Sequence, residues 1–258
     1  MPLIGTLSSG VSALRTFSKG LEVIGGNIAN VNTTGYKSSS TSFSDTFSNT
    51  VGTAGGAAQI GSGVQVGGIA TNFAQGSLSS TSKPTDLGIA GKGYFVVQDG
   101  TARFATRDGG FHFDSNGYLV NAQGKSVMSA ANAPIQVPTF GNVTNISVGL
   151  DGTITAFYND GTTDTSQQIG LITVDDQTKL VKQANNLYDY SAVSTTIPVP
   201  GAPTAGTNIQ AGALEQSNVD LTDQFAELIT TQRSFQAASR LVTVSDSVLE
   251  DIVNLKRN

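Results

Sequence analysis

The segment Leu7-Ser-Ser-Gly-Val-Ser-Ala-Leu14-Arg-Thr-Phe17-Ser-Lys-Gly-Leu21-Glu-Val-Ile24-Gly-Gly-Asn-Ile28-Ala-Asn-Val31 carries apolar residues at a helical spacing. Every seventh residue is Leu or Ile, at positions 7, 14, 21 and 28, and a second series follows three positions later at Gly10, Phe17, Ile24 and Val31. This heptad pattern, interrupted only at Gly10, predicts an amphipathic α-helix with an a/d seam. Turn and cap formers at residues 30–35 predict where the helix ends.

The C-terminal end of the chain repeats this pattern over five heptads. Its strong seam consists of large apolar residues: Leu221, Leu228, Phe235, Val242 and Leu249. Its weaker seam consists of Gln224, Thr231, Ala238, Ser245 and Ile252. Asp220 lies where a helix start is capped, and Lys256 and Arg257 lie where the helix dipole favours cations. We therefore predict a second helix from about residue 220 to about residue 255.

Two long amphipathic stripes at opposite ends of one chain favour pairing with each other. A single stripe fits an amphipathic helix on a globular core just as well, but two are most simply explained by a discontinuous coiled-coil domain. The predicted fold is mixed α and β, with an antiparallel all-β domain inserted between terminal coiled-coil helices. We place the N-terminal helix in residues 1–32, a low-charge extended linker or arm in 33–85, the β domain in 86–214 and the C-terminal helix in 215–258.

The middle of the chain has a strand-forming composition. Glu, a good helix former and a poor strand former, is absent from residues 23–214, and residues 46–82 carry no charge at all. Hairpin dipeptides occur between residues 98 and 162, at Asp99-Gly100, Asp108-Gly109, Asn116-Gly117, Asp151-Gly152 and Asp160-Gly161. Pro198, Pro200 and Pro203 predict a stiff connection back toward the C-terminal helix.

Composition excludes most catalytic and ligand-binding classes. Without Cys there is no thiolate metal site or cysteine nucleophile, and a single His leaves no histidine cluster. A net charge of −5 argues against binding nucleic acid. His112 alternates with two Phe and is expected on an exposed strand face. Residues 114–117 resemble the start of a calcium loop but lack its twelfth-position Glu. We predict no enzyme, no catalytic, metal-binding or cofactor-binding residues and no small-molecule substrate.

No stretch approaches the roughly 20 apolar residues that span a bilayer. The first residues also lack the basic region and apolar core of a cleavable secretory signal. We therefore expect the protein to remain in the cytosol or to leave it by a route that uses no such signal.

Several motifs resemble one known family. Residues 27–37, with Asn27, Ala29, Asn30, Thr34 and Gly35, resemble the N-terminal signature of the bacterial flagellar hook and rod (axial) proteins. Residues 212–220, with Ser217, Asn218, Val219 and Asp220, resemble its C-terminal signature, and Gln232-Arg233 before Phe235 resembles a further element. Residues 86–97, 106–111 and 117–120 resemble its central blocks. Gly26 departs from the Asn that is common in the family.

The resemblance implies a structural subunit that self-assembles into a hollow helical tube. In such a tube the terminal helices form a coiled coil around a central channel, and the β domain forms the outer wall. The implied partners are further copies of the chain, neighbouring axial proteins (rod, hook cap and hook–filament junction) and the flagellar type III export apparatus, which needs no cleaved signal. The implied location is the hook or basal body of the bacterial flagellum.

Two members of the family remain open as interpretations. Residues 21–28, 42–47, 59–66, 73–78 and 253–257 look similar to hook proteins, which transmit torque from rod to filament. The length of 258 residues is closer to the distal rod protein. We predict a short hook protein, with the distal rod protein as the alternative and a secreted β-rich adhesin as a remote one. We also expect the termini of a free monomer to be largely unfolded and to order on assembly.

Overall fold

The computed structural model describes residues 2–46, 48–53, 56–191, 193, 200–204 and 206–257. The chain divides into two compact units. The helical unit consists of Met1–Asn30, Ser38–Asn72 and Val219–Asn258, and the β unit consists of Val31–Lys37 and Phe73–Asn218. The residues predicted as an extended arm, 33–85, are thus shared between the two units.

Both terminal segments form long α-helices, α1 (Pro2–Ala29) and α2 (Leu221–Arg257). Helix α1 begins five residues before the first heptad position, with Pro2 at its first position, where a missing N–H costs nothing. The side chain of Asp220 caps α2, accepting from the amides of Thr222 and Asp223 at 2.8 and 3.4 Å. Both predicted helices and the predicted cap are confirmed.

The two helices pack against each other in antiparallel orientation. Near the end of α1, Asn27 donates to Gln224 near the start of α2, at 2.8 Å. Near the start of α1, Gly10 lies against Val242, far along α2. Residues late in α1 therefore contact residues early in α2, and residues early in α1 contact residues late in α2, so the helices run in opposite directions.

The helical unit also contains four strands. Strands β1 (Ser39–Asp45) and β4 (Val64–Thr71) pair antiparallel, with a bulge between Ser42 and Phe43, and β2 (Ser48–Thr53) pairs with β3 (Gly56–Gly61). The β1–β4 ribbon lies on α1: Thr16 donates to the carbonyl oxygen of Val64 at 3.0 Å. The rings of Phe17 and Phe43 meet edge to face, 5.8 Å between centroids.

The β unit contains the remaining strands and two short 3₁₀ turns, Phe140–Asn142 and Gln177–Lys179. The strands are β5 (Leu78–Ser80), β6 (Leu87–Ala90), β7 (Tyr94–Asp99), β8 (Ala102–Thr106), β9 (Phe111–Phe113), β10 (Leu119–Asn121), β11 (Ser126–Val127), β12 (Val143–Val148), β13 (Thr153–Tyr158), β14 (Thr163–Gln168), β15 (Leu171–Ile172), β16 (Val181–Lys182), β17 (Leu187–Asp189), β18 (Asn208–Ala211) and β19 (Ala213–Glu215). All pairings between the described strands are antiparallel, as predicted.

Strand β7 organises the core of the β unit. It lies inside an eight-stranded sheet with the order β16-β17-β8-β7-β11-β10-β9, and β15 also pairs with β7. Successive side chains of a strand point to opposite faces. Phe95 and Val97 therefore enter one apolar cluster, and Tyr94 and Val96 enter a second. Burial on both faces explains the uninterrupted apolar run at residues 94–97.

Smaller sheets complete the β unit. Strands β12, β13 and β14 form a three-stranded sheet, β18 pairs with β6, and β19 pairs with β5. In the β5–β19 pair, Leu78 lies opposite Glu215. The chain therefore enters the long segment of the β unit beside the strand on which it leaves.

Four of the five predicted hairpin dipeptides connect paired strands, and their glycines adopt positive φ: Gly100, Gly117, Gly152 and Gly161. The fifth prediction, Asp108-Gly109, is wrong. Strands β8 and β9, which flank it, do not pair with each other. The carbonyl oxygen of Gly109 instead accepts from the amide of Leu87 at 3.0 Å, and a Cβ at Gly109 would lie 1.7 Å from the carbonyl oxygen of Leu87, which accounts for the glycine.

The remaining predictions concern membrane-spanning helices, the uncharged segment and the proline-containing connection. None of the described helices combines the length and apolar character needed to cross a membrane. Phe47 and Pro198 lie outside the described residues, whereas Pro200 is buried and precedes Gly201, which pairs with Leu171.

Candidate functional site

Small residues form the line along which α2 is buried. Thr231, Ala238 and Ser245 are the buried residues of this helix, each less than 10% exposed, and they follow one another at heptad spacing. On α1 the buried positions are Gly10, Thr16, Gly20, Ile24 and Asn27. The seam interpreted from the sequence as the weaker one is therefore the line of closest contact.

The large apolar residues predicted for the seam flank this line. Ile24 is buried, and the half-buried members are Leu7, Leu14, Phe17, Leu21, Ile28, Val31, Leu228, Phe235, Val242 and Leu249. Val31 lies beyond the end of α1 and belongs to the β unit. Leu221 and Ile252 are exposed, so the single chain does not bury them. Their role in a seam stays a prediction for the assembled state.

Gly10 marks the closest approach of the two helices. A Cβ atom at this position would lie 2.8 Å from Cγ2 of Val242 and 3.0 Å from Cδ2 of Leu241. The residue that interrupts the heptad pattern is therefore a point of tight packing. A larger residue at this position would force the side chain of Val242 or Leu241 to move.

Many large apolar side chains of α2 remain exposed. They are Leu221, Phe225, Ile229, Leu241, Val244, Val248, Ile252, Val253 and Leu255, with exposures from 38% at Val248 to 78% at Leu255. Five of them, at positions 241, 244, 248, 252 and 255, recur at intervals of three or four residues and share one side of the helix. We call these five residues the C-terminal apolar stripe. A contiguous apolar surface of this kind indicates an interaction site.

Asn27 connects α1 to both α2 and β1. Its buried side chain donates to Gln224 at 2.8 Å and to the carbonyl oxygen of Ser39 at 2.7 Å, and it accepts from the Ser39 amide at 3.0 Å. An amide is one of the few side chains that donate and accept at once. This first Asn of the N-terminal motif therefore fixes three chain segments.

The other motif residues of the helical unit lie at helix ends or on the surface. Asn30 donates to the carbonyl oxygen of Gly26 at 2.8 Å and so satisfies the last turn of α1. Ala29 ends that helix and is exposed, and Gln232 and Arg233 are exposed on α2. Val219 is half-buried and precedes the capping Asp220.

The β unit contains a buried cluster of three charged side chains, Lys37, Arg107 and Glu215, which we call the charge clasp. Lys37 Nζ donates to Glu215 Oε1 at 2.6 Å, and Arg107 donates to Glu215 Oε2 at 3.0 Å. Glu215 Oε1 also accepts from the amide of Gly76 at 2.9 Å. The three side chains are 0–4% exposed. Charged groups are buried to this extent only when they are paired.

Further contacts bind the two cations of the clasp, although the buried Nε of Arg107 has no hydrogen-bond partner among the described residues. Lys37 donates to the carbonyl oxygen of Ala74 at 2.8 Å, and Arg107 donates to that of Gly91 at 2.9 Å. The Arg107 guanidinium lies 5.1 Å from the centre of the Tyr94 ring, within cation–π range. Burial lowers the pKa of Lys37, and its hydrogen bond to Glu215 opposes that shift. Burial also raises the pKa of Tyr94 to about 12.

The N-terminal motif approaches the clasp through its backbone. The amide of Gly35 donates to the carbonyl oxygen of Glu215 at 2.8 Å. Gly35 has a φ of 66°, and a Cβ there would lie 2.5 Å from the Asp108 amide nitrogen. Thr34 donates to the Asp108 carboxylate at 2.7 Å. Glycine is therefore required both by the left-handed conformation and by the space.

The C-terminal motif contributes on the other side of the clasp. Asn218 donates to the carbonyl oxygen of Ala74 at 3.0 Å, the same oxygen that accepts from Lys37. Ser217 is half-buried between Glu215 and Asn218 in the chain. Three motifs that are distant in sequence therefore meet around one carboxylate.

The clasp is the functional candidate that the sequence analysis missed. Lys37, Arg107 and Glu215 each lie inside a motif recognised from the sequence, but none was paired with the others. A signal was present: in a chain with only 13% charged residues, each of the three motifs contains a long charged side chain, Lys37, Arg107 or Glu215.

The described residues also show whether a metal site is present among them and where the single histidine lies. Among them, no three His, Cys, Asp or Glu side chains are placed to hold a metal ion. His112 is exposed on β9 between Phe111 and Phe113, as predicted.

Three family models match the chain. The model described as "Flagella basal body rod protein" matches residues 7–37, the model of the D1 domain of flagellar hook proteins FlgE/F/G matches residues 88–156, and the C-terminal model of flagellar basal body rod FlgEFG proteins matches residues 210–255.

Curated relatives match along almost the whole chain. The flagellar basal-body rod protein FlgG of Bacillus subtilis is 39% identical, and the alignment covers 99% of this chain and all of that protein. FlgG of Buchnera aphidicola (from Acyrthosiphon pisum) is 32% identical, with 91% and 93% covered. The flagellar basal-body rod protein FlgF of Caulobacter vibrioides is 32% identical, with 90% of each chain covered.

Proposed function

Because this chain belongs to the flagellar hook and rod (axial) protein family, we propose that it is a subunit of the distal rod of the flagellar basal body. The proposal replaces the hook protein that the sequence analysis favoured. It rests on one observation above all, the 39% identity to a basal-body rod protein over the full length of both chains.

The exposed apolar residues of α2 support a role in self-assembly. The C-terminal apolar stripe would be covered by a second copy of this chain, because the relatives are named as components of the rod, an assembly of flagellar axial proteins. A fully buried large apolar side chain contributes about 1.5–3 kcal/mol. Several such residues at one interface would offset much of the entropic cost of association.

We further propose that α1 and α2 act as a coiled-coil core of the assembled tube. The antiparallel packing of the helices and the heptad spacing of Thr231, Ala238 and Ser245 support this role. The predicted seam residues would then serve two contacts. The small residues would hold the hairpin together, and the half-buried Leu and Phe residues beside them would meet neighbouring copies.

The proposed surroundings follow from membership of the family. Partners would be other copies of this chain and the axial proteins at either end of the distal rod. Export through the flagellar type III apparatus, without removal of a signal, would bring the chain to that place. A tube subunit needs surfaces for other subunits rather than a catalytic site.

Deleting the gene distinguishes the two family members. If the chain is the distal rod subunit, basal bodies from the deletion strain end in a truncated rod and carry no hook. Electron microscopy of purified basal bodies makes the measurement. An intact rod that lacks only the curved hook would contradict the rod proposal and restore the hook interpretation.

Assembly is tested by a charge placed in the C-terminal apolar stripe. Val244 is 61% exposed, so Val244→Asp leaves the single chain folded but places a charge in the proposed interface. We expect it to abolish polymers that the unaltered chain forms, as measured by sedimentation. The matched control is Thr243→Asp at the neighbouring exposed position. Polymers from the Val244 variant at the normal concentration would contradict the assigned surface.

A further inference from the structure

We propose that Glu215 is the closing residue of the β unit, so that this unit completes its fold only after the chain has supplied residue 215. The proposal is independent of the rod assignment, because it concerns the folding of one unit of a single chain. It starts from the positions of the three clasp residues along the sequence. Lys37 precedes Arg107 by 70 positions, and Arg107 precedes Glu215 by 108.

Most of the β unit is present before Glu215 can arrive. A chain that is synthesised from its N-terminus presents Lys37, the sheet and Arg107 first. Strands β7 and β8 form a local hairpin, and local contacts form earlier than contacts that close long loops. Strand β19, which contains Glu215, pairs with β5, and the paired residues are 133 to 137 positions apart in the sequence. Among the described strand pairings of the β unit, the β5–β19 pairing therefore closes the longest loop, and it is the pairing that places the Glu215 carboxylate.

Burial of the clasp is unfavourable until that carboxylate docks. The side chains of Lys37 and Arg107 are no more than 4% exposed in the closed unit. Removing one partner from a buried ion pair is strongly destabilising, because an uncompensated charge remains away from water. Without Glu215 the clasp would hold two such cations. Without Lys37 it would still hold a balanced pair.

Glu215 also completes the backbone contacts around the clasp. Its carboxylate accepts from the Gly76 amide, and its carbonyl oxygen accepts from the Gly35 amide. Docking of this single residue therefore ties down residues 31–37 and the start of the long segment at residue 73 together. These two amides report directly on closure.

Pulse-labelling hydrogen exchange during refolding of the full-length chain tests the order. Reference amides are those of Met128 and Leu119, which donate to the carbonyl oxygens of Val96 and Ile135 beside the strands of the large sheet. We expect the Gly35 and Gly76 amides to become protected together, and later than the two reference amides. Protection of Gly35 or Gly76 before the reference amides, or at the same time, would overturn the proposal. The unaltered protein gives this result, so no variant has to fold.

Equilibrium variants test the charge argument. Glu215→Gln should raise the opening constant of the β unit, measured by native-state exchange, by about a hundredfold or more. Lys37→Met should also raise the opening constant, but by a factor about ten or more times smaller, since the balanced pair of Arg107 and Glu215 remains. The control Glu22→Gln removes an exposed carboxylate paired with Lys19 and should change it by less than about twofold.

A double variant reverses the sign of one effect. In the Glu215→Gln background, Lys37→Met removes one of two uncompensated cations and should lower the opening constant, whereas it raises that constant in the unaltered chain. Additive effects of the two substitutions would overturn the role of charge and leave Glu215 as an ordinary packing residue.

Discussion

The two units of this chain bury opposite kinds of residue. The β unit buries large and charged side chains: Phe95, Tyr94 and Tyr188 are no more than 1% exposed, and the clasp is inside as well. The helical unit buries Thr231, Ala238 and Ser245, and it leaves Phe225 and many large apolar residues of α2 exposed. The β unit thus buries most of its large apolar groups within the single chain, although Leu150, Phe157 and Val181 are exposed. The exposed apolar residues of α2 are the ones that we propose a second copy of the chain would cover.

This contrast predicts that substitutions in the two units affect different properties of the protein. Substitutions in the β unit should change the free energy of unfolding of the single chain. Substitutions on the exposed face of α2 should change association. The three predictions below test that separation, in order of decreasing effect.

Phenylalanine-to-alanine substitutions in the two units should have opposite consequences. Phe95→Ala removes a fully buried ring that packs on Phe111 at 5.1 Å, and it should lower the free energy of unfolding of the β unit by about 3–5 kcal/mol. Phe225→Ala should change it by less than about 0.5 kcal/mol while weakening self-association. Denaturant titration and sedimentation give the two quantities. Similar losses of stability in both variants would remove the contrast.

High pH should destabilise the β unit through its buried tyrosines. Burial raises the pKa of Tyr94 from 10.0 to about 12 and also raises that of Tyr188. Above pH 10 the folded state therefore holds protons that the unfolded state releases, and stability falls as pH rises. For Tyr94 the loss should reach about 2 kcal/mol at pH 12 and approach about 3 kcal/mol well above it. Lys37 acts in the opposite direction: its pKa is lower in the folded chain than in the unfolded chain, so its contribution to stability rises with pH as the proton is released.

Tyr94→Phe is the matched control for this loss. Denaturant titrations at about pH 8 and about pH 12 should show a smaller difference in the variant than in the unaltered chain. An equal difference in both proteins would mean that Tyr94 does not titrate with a raised pKa. The variant retains the ring beneath Arg107, so its packing changes little.

Two glycines of α1 should respond differently to the same substitution. Gly10→Val drives a side chain into Val242 and Leu241, at a cost of about 2 kcal/mol in helix pairing. The critical concentration for assembly should therefore rise roughly thirtyfold. Gly25→Val is the control, because nothing lies within 4 Å of a Cβ at Gly25. A similar rise for both variants would attribute the effect to helix propensity rather than to contact.

Much of the fold can be predicted from local sequence patterns. Heptad spacing indicates both helices, and turn dipeptides with positive-φ glycines indicate four hairpins. The role of Gly10 could not be predicted in this way, because an interruption in a stripe and a point of close contact look alike until the partner helix is placed. The same limit explains why the hairpin predicted at Asp108-Gly109 is wrong. Gly109 is required by its contact with Leu87 of strand β6, which is distant in the sequence.

The charge clasp shows the same limit for the candidate site. A lone Lys, Arg or Glu in a polar segment is normally an exposed residue. Only the meeting of residues 37, 107 and 215 changes that expectation, and their separation along the chain hides it from any local pattern. The heptad positions of the two helices are easier to recognise, since helix periodicity is a local property, and their role in assembly stays a prediction.

The pairing of β5 with β19 has a practical consequence for rebuilding this protein. The long segment of the β unit enters and leaves on adjacent, hydrogen-bonded strands, so its two ends are spaced like the stem of a hairpin. Extra sequence can be grafted at the far tips of the segment, for example at the exposed β13–β14 turn at Asp160-Gly161, without altering the spacing of that stem. The chain can thus carry a tag or a whole additional module as a branch, leaving its terminal helices as they are.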